Sequence, residues 1–453
     1  MKKTLYTISL ILFLFSFVTS AQNYIDVPPG DGTLKAAIET SVDGDILRLI
    51  PGSEYTESET YSIGIHKSLT IQTDDETNPA KPIIRNSKVT DGTSNPNFFT
   101  LHDSASLTLK GLEFDGLQTG TPAVLHLIQY SAGTPASAGK IGTVKVLNCD
   151  VHDIKSNVID GGSADLAGNI IVDSTFVDNC VFHNTGTAVY YKYNGSNFIS
   201  ITNSTFNTIF SYGARIAGPG YTNLADNTPK VIIDHTTWYN IGTTDGREII
   251  LGEKGVFLNR WTVTNSIFQK QVLQTKTVIN IKETLGDSLA TITNICLWDI
   301  GAKVWRLHTV HDTLIQDPQF ANAAQGDFTL PVGSILLTYG TDGKPIGDPR
   351  WGKNYVDAVD DNKLALTDFS LGQNYPNPFN PETKINFNLK EAGMTQIDVY
   401  NILGQYVSSL VNGYLAKGEH SATFNAAKLN SGVYIYRLKS GNKVISNKMI
   451  LSK

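Results

Sequence analysis

The sequence predicts an all-β protein: a right-handed parallel β-helix with an N-terminal capping helix, followed by a small immunoglobulin-like β-sandwich. Two observations predict the β-helix. A six-residue motif recurs every 24 to 37 residues through the middle of the chain, and the apolar alternation slips by one residue at the same place in every copy. A third observation separates the C-terminus. From residue 372 the motif is gone, and short alternating strands with turn signals replace it.

The motif runs apolar, any residue, Asn, small, any residue, then aromatic or apolar. It reads Val146-Leu-Asn148-Cys149-Asp-Val151, Val177-Asp-Asn179-Cys180-Val-Phe182 and Ile201-Thr-Asn203-Ser204-Thr-Phe206. It continues as Ile233-Asp-His235-Thr236-Thr-Trp238, Val263-Thr-Asn265-Ser266-Ile-Phe268 and Ile292-Thr-Asn294-Ile295-Cys-Leu297, with Leu109-Lys-Gly111-Leu112-Glu-Phe114 as a degenerate first copy. The third positions are 37, 31, 24, 32, 30 and 29 residues apart. Strand side chains alternate with a period of two. The first and third positions therefore share a face, the fourth and sixth share a face, and a bend must separate them. Such a bend lets both strands turn apolar residues inward. Asn suits it, because its amide can bond backbone groups that the turn leaves unpaired. Stacked coils would place these amides about 4.8 Å apart in a ladder. The right hand follows from the general preference of parallel crossovers. A constant motif at variable spacing implies loops of different length on one repeated coil. Leucine-rich repeats and propeller blades need other periods and other fixed residues.

A solenoid exposes its ends and must cover them. Asp31-Gly-Thr33 followed by Leu34, Ala37 and Ile38, with Gly44 as a stop, reads as a short capped amphipathic helix over the first coil. The segment around Phe320 to Leu330 is the expected cover of the other end.

Composition narrows the class. The chain has 453 residues, is 41% hydrophobic and 17% charged, and is too apolar for disorder. Its net charge of -6 speaks against nucleic acid as a partner. Its 3 cysteines exclude a disulfide scaffold. Cys149 and Cys180 fall at equivalent positions of neighbouring coils and read as stacked core thiols, with Cys296 unpaired. His308 and His311 lack further ligands nearby. Lys2 and Lys3, the apolar run Ile8 to Val18 and the small residues Thr19-Ser20-Ala21 form an export signal. No later segment reaches the length that crosses a membrane. The expected organisation is a signal peptide at 1–21, the β-helix at 22–352, a polar linker at 353–371 and the sandwich at 372–453. The mature chain is expected to act as a monomer.

Two resemblances add to this reading. Tyr375-Pro-Asn-Pro-Phe379, Val399-Tyr-Asn-Ile-Leu-Gly404, Gly432-Val-Tyr-Ile-Tyr-Arg437 and Lys448-Met-Ile-Leu-Ser-Lys453 resemble the C-terminal sorting domain of the type IX secretion system. That resemblance implies the type IX machinery as a partner and a secreted or cell-surface destination, reached through the periplasm and outer membrane. Asp31-Gly-Thr-Leu-Lys-Ala-Ala37, the Asn-Ser-x-Phe coils and Gly343-Lys-Pro-Ile-Gly-Asp-Pro-Arg-Trp351 resemble secreted pectate-lyase-like β-helix proteins, nearest the chondroitinase-B-like and alginate-lyase-like group. This implies a polysaccharide partner and lyase chemistry on a uronic-acid polymer. The alternative is a non-catalytic glycan-binding or adhesive surface protein. The lyases carry Glu-Ile-Ile-Ser-x-Lys, in which Glu helps hold calcium and Lys is the base. Here the segment is Glu248-Ile-Ile-Leu-Gly-Glu-Lys254, with one residue more before the lysine and Gly246 in place of a second glutamate.

Uronate elimination needs a cation for the carboxylate, a base for the C5 proton and an acid for the leaving oxygen. The segments after the bends are Tyr190-Tyr-Lys192-Tyr193, Gly213-Ala-Arg215, Arg247-Glu248 and Asn280-Ile-Lys282, at similar offsets on successive coils. They are expected on one face. Lys192, Arg215 and Lys254 are the candidate catalytic residues. Tyr190, Tyr191, Tyr193 and Arg247 are the candidate substrate contacts, with Glu248 as the calcium ligand.

Overall fold

A computed structural model shows a parallel β-helix and a small antiparallel sandwich, divided into compact units between Tyr355 and Val356. The structure describes residues 23–58, 62–86, 96–102, 104–118, 121–122, 124–131, 139–162, 170–192, 194–217, 230–244, 246–253, 260–271, 276–281, 290–301, 304–305, 310–355, 370–372, 374, 376–389, 392–401, 405–441 and 443–452. The export signal, most of the linker, and the side chains of His308 and His311 lie outside them.

Each coil turns three corners. The strand before the motif's Asn stacks in one sheet, and its core side of apolar residues forms an unbroken column. Leu47, Ile71, Leu109, Val146, Val177, Ile201, Ile233, Val263 and Ile292 lie in register on successive coils, each at most 1% exposed. Each such side chain contributes about 1.5–3 kcal/mol by leaving water. After the bend a shorter strand carries the aromatic position into the same core. There Phe182 meets Phe206 edge-on at 5.3 Å, and Phe206, Trp238 and Phe268 stack with centroids 3.9 and 6.3 Å apart.

The bend has a sharper cause than amide bonding. Gly111, Asn148, Asn179, Asn203, His235, Asn265 and Asn294 all sit in the left-handed region, with φ between 49° and 67°. Gly and Asn tolerate that conformation best among the residue types. The amide ladder is interrupted. Asn179 donates to the Asn148 oxygen at 3.3 Å, but Asn203 and Asn265 donate to the carboxylates of Asp178 and Asp234 at 2.8 and 2.9 Å. The small residue that follows makes the backbone ladder instead. Cys180 N–H donates to Ser204 Oγ at 3.0 Å, Thr236 N–H to Ser266 Oγ at 3.2 Å, and Cys149 N–H to Cys180 Sγ at 3.4 Å. All three cysteines are free and buried.

A second left-handed bend follows five residues after the first. Asp153, Asn184, Thr208, Asn240, Lys270 and Asp299 hold φ between 48° and 60°. Beyond it lies the third sheet, nine parallel strands among the described residues, running from Ile63–Ile65 through Asn157–Asp160, Thr187–Tyr191, Ala214–Ala217, Ile250–Glu253 and Ile279–Ile281 to Val304–Trp305.

The helix Thr33–Thr40 starts after Gly32, whose φ of 70° makes the turn without a side-chain cap, and buries Leu34 and Ile38 into the core. Covering at the other end differs from expectation. The segment from Phe320 onward lies along the outer side of the last coils. Asp348 accepts from Thr205 Oγ1 at 2.7 Å, Thr237 Oγ1 accepts from Asp348 N–H at 2.9 Å, and Trp351 Nε1 donates to Thr205 at 2.7 Å. Leu330, Leu336, Leu337 and Ile346 close over Ile267 and Cys296. The apolar second-sheet face there needs a cover, and this segment supplies it.

The C-terminal unit has its own core. A three-stranded antiparallel sheet (Ser370–Leu371, Glu382–Leu389, Gly418–Asn425) faces a four-stranded one (Tyr406–Leu415, Gly393–Asn401, Gly432–Ser440, Lys443–Leu451). Phe387, Val399, Phe424, Tyr436 and Met449 meet between them. Asn377 Oδ1 accepts Ile450 N–H at 2.9 Å, and Phe379 N–H donates to Ile450 O at 2.9 Å. The Pro-rich opening is thus pinned to the final strand.

Candidate functional site

The third sheet positions the site. Tyr190 stands in register with Arg215, Arg215 with Leu251, and Leu251 with Asn280. Their neighbours Val189, Ala214, Ile250 and Ile279 are fully buried. Alternation therefore sends Tyr190, Arg215 and Asn280 outward. The second-bend loops of the same coils rise beside them and form a cleft of about 440 Å³. Lys155, Tyr190, Tyr212, Arg215 and Arg247 line it, with Asn157, Phe210 and several serine, threonine and glycine residues.

Arg215 is the best-held group. Its Nε and Nη2 donate to Glu253 Oε1 at 2.9 and 2.6 Å, and both side chains are about 85% shielded, at 16% and 13% exposure. Its guanidinium carbon lies 5.0 Å from the Tyr212 ring centre and 5.7 Å from that of Tyr190. Arg247 approaches the same Tyr212 ring at 5.5 Å. Burial works against the Arg215 charge, but the bonds and field of Glu253 outweigh it and raise the pKa further. Burial raises the Tyr212 phenol, with the two arginines opposing and Glu248 and Glu253 assisting. Glu248 is 6% exposed and accepts from Asn280 Nδ2 at 3.1 Å, while Asn280 Oδ1 is buried with no hydrogen-bond partner among the described residues.

The structure sorts the expected residues. Tyr190, Arg215 and Arg247 share the cleft, and Glu248 and Glu253 lie beside it. Lys192 follows the strand directly after Tyr191 and is not in the lining. Tyr191 is a correction. It points into the core, fully buried, with its hydroxyl 2.8 Å from Tyr130 Oη and 2.6 Å from Thr175 Oγ1. Adjacent strand residues face opposite ways, so only one of the two tyrosines can reach solvent. Tyr193, Lys254 and Lys282 lie outside the described residues. Sequence reading missed Lys155, Tyr212 and the role of Glu253. Lys155 and Tyr212 sit in the bend loops, where no repeated pattern marks them.

A second cluster lies on the middle sheet, where Asp115, His152 and His183 are in register. His152 Nδ1 is 2.7 Å from Asp153 Oδ2 and 3.8 Å from Asp115 Oδ1, and its Nε2 is 3.3 Å from Glu113 Oε1. Asp115, His152 and Asp153 place one ligand atom each within 4.8 Å of the others, a group that could hold a metal ion. Arg85 bridges Asp115 and Glu54 at 2.8 and 2.5 Å. Burial lowers the His152 pKa, but Asp153, Glu113, Asp115 and Asp150 together push it up to about 10.

Residues 373–452 match the secretion system C-terminal sorting domain, and residues 231–351 match a domain of unknown function, DUF5123. No curated protein matches the chain. Among solved structures, a single-residue variant of the PL6 family alginate lyase AlyGC is similar, with a TM-score of 0.47 and 18% identity over 66% of this chain and 38% of that one. The unsubstituted AlyGC gives 0.41 and 16% identity over 65% and 39%. The chain therefore spans less than two-fifths of the length of those lyases. Among the described residues no helix is long and apolar enough to cross a membrane. The sorting domain marks this chain as a secreted or cell-surface parallel β-helix protein that engages a secretion machinery.

Proposed function

We propose that the cleft binds a uronic-acid polysaccharide and cleaves it by β-elimination. One observation carries this reading: among the described residues the lining holds three cations, Lys155, Arg215 and Arg247, the rings of Tyr190, Tyr212 and Phe210, and no carboxylate. Such a set suits a ligand that is anionic and presents flat apolar ring faces. In the reaction a base takes the proton at C5 of the uronate. The electron pair forms the C4–C5 double bond, and the glycosidic oxygen leaves C4 with a proton. Arg215 is held charged, so it steadies the carboxylate and the developing enolate rather than removing the proton. The base is then a lysine. Lys155 lines the cleft, with Lys192 and Lys254 the other two to be tested.

A calcium ion at Glu248 is what the lyase resemblance implies. Calcium takes about six to eight oxygen ligands. Around Glu248 the described residues add the Asn280 oxygen, while Glu253 is engaged by Arg215 and two guanidiniums share the neighbouring Tyr212 ring. Among the described residues this donor set does not fit calcium.

The decisive experiment incubates the purified chain with polygalacturonate, alginate and chondroitin sulfate and follows absorbance of the new double bond. Double-bond formation on one polymer is the expected result. Saturable binding with no double bond on any of them would replace the lyase by a non-catalytic glycan-binding surface protein.

A further inference from the structure

We propose that Arg215 and Arg247 together neutralise the substrate carboxylate, so that binding and turnover need no metal ion. The inference rests on the uronate reading of the cleft but makes a separate claim about how the charge is met. Both guanidiniums lie against one ring, Tyr212, at 5.0 and 5.5 Å, and both residues line the cleft, so two cations share that part of its wall. Glu253 takes two N–H donors of Arg215 on a single oxygen, and among the described residues no other hydrogen bond engages that guanidinium. The two bonds fix the guanidinium plane and leave its other N–H donors without a protein acceptor among the described residues, in a residue that lines the cleft. A fixed planar fork with unspent donors is the geometry that takes a carboxylate in two parallel bonds.

The same arrangement is hostile to a divalent cation. A metal held by Glu248 would sit beside two positive charges in a partly shielded site, where like charges repel more strongly than in water. Glu248 is also committed to the Asn280 amide at 3.1 Å. Its carboxylate is better explained as a counter-charge in the cationic surroundings of Tyr212. Glu253 is a positioning residue on this view, since it acts on the substrate only through Arg215.

The test uses the full mature chain, stripped with EDTA, dialysed and divided, with one half given calcium. Binding of oligouronates and of the same oligomers after carboxyl reduction is measured by calorimetry, and double-bond formation is followed on the uronates. Affinity and turnover are expected to agree within about twofold between the halves, with a tenfold change being 1.4 kcal/mol. Arg247→Gln, at an exposed position, is expected to weaken uronate binding at least about tenfold and to leave the carboxyl-reduced oligomer within about twofold. Glu253→Gln is expected to do the same more weakly, raising KM more than it lowers kcat. Loss of uronate binding on chelation that calcium restores would overturn the proposal. So would equal losses on the charged and reduced oligomers, or no metal-independent binding to any uronate. Absence of double-bond formation alone sinks the lyase reading, and the binding arms still decide this one.

Discussion

The cleft on the third sheet and the cluster on the middle sheet are built from the same materials, yet they are wired differently. Around His152 every charge has its partner: Arg85 spans Glu54 and Asp115, and His152 joins Asp153 to Glu113. Its carboxylates are drawn inward onto their own cations. Around Arg215, among the described residues, a single carboxylate takes two donors and the other donors of the guanidinium have no acceptor. A saturated cluster stabilises the fold, whereas an oriented but unsaturated one awaits a ligand. A metal at Asp115, His152 and Asp153 would first have to displace the His152 proton, which its neighbours hold up to a pKa of about 10.

Mutation should separate the two clusters. His152→Ala removes the cation from a set of shielded carboxylates, and the expected loss of stability is about 3 kcal/mol, the scale for breaking a buried pair. Chemical denaturation at pH 7 checks it, and a loss equal to that of Arg247→Ala, expected near zero, would erase the contrast. The pH profile gives a companion test. The His152 pKa is raised from 6.5 to about 10 on folding, so its stabilisation is complete below pH 6.5 and is lost as pH rises through about 10. The wild-type midpoint should therefore fall more steeply from pH 7 to 10 than that of His152→Gln. Parallel curves would show that the histidine is not held charged.

The cleft is expected to answer in rate. Lys155→Ala should lower turnover about a hundredfold, the scale of a lost general base, while leaving the melting temperature in place. If Lys192→Ala or Lys254→Ala produces that loss and Lys155→Ala does not, the base lies beyond the cleft lining. The smallest effect belongs to the bends. Asn203 has a φ of 49°, so Asn203→Leu should cost about 1–2 kcal/mol in backbone strain, and Asn203→Gly much less. Equal losses in the two variants would assign the cost to the amide bond to Asp178 at 2.8 Å instead.

How far the sequence reached depends on whether a feature repeats locally. The first bend was legible because its parity slip and its Asn recur within six residues on each coil. The reason for the Asn was misjudged, since backbone torsion decides it more than hydrogen bonding. The second bend is just as regular in structure, yet Asp153, Asn184, Thr208, Asn240, Lys270 and Asp299 share too little chemistry to stand out. In the C-terminal unit Tyr406–Leu415 lies at a sheet edge and has no fully buried residue, so it carries little alternation to read.

By itself the sequence determined the coil, its core columns and the separate sorting module. These follow from period-two alternation and from residue types that only a few conformations tolerate. Tertiary structure alone decided which side chains meet. Coil lengths of 31, 24 and 32 residues scatter Lys155, Tyr212 and Arg247 along the chain, and only the register of stacked strands brings their loops level. The choice between Tyr190 and Tyr191 was also made there, because Tyr191 pairs with Ile216 in the core column while Tyr190 pairs with Arg215 on the outer face. Alternation says that neighbours part ways, and the packing of the coil says which of them goes inward.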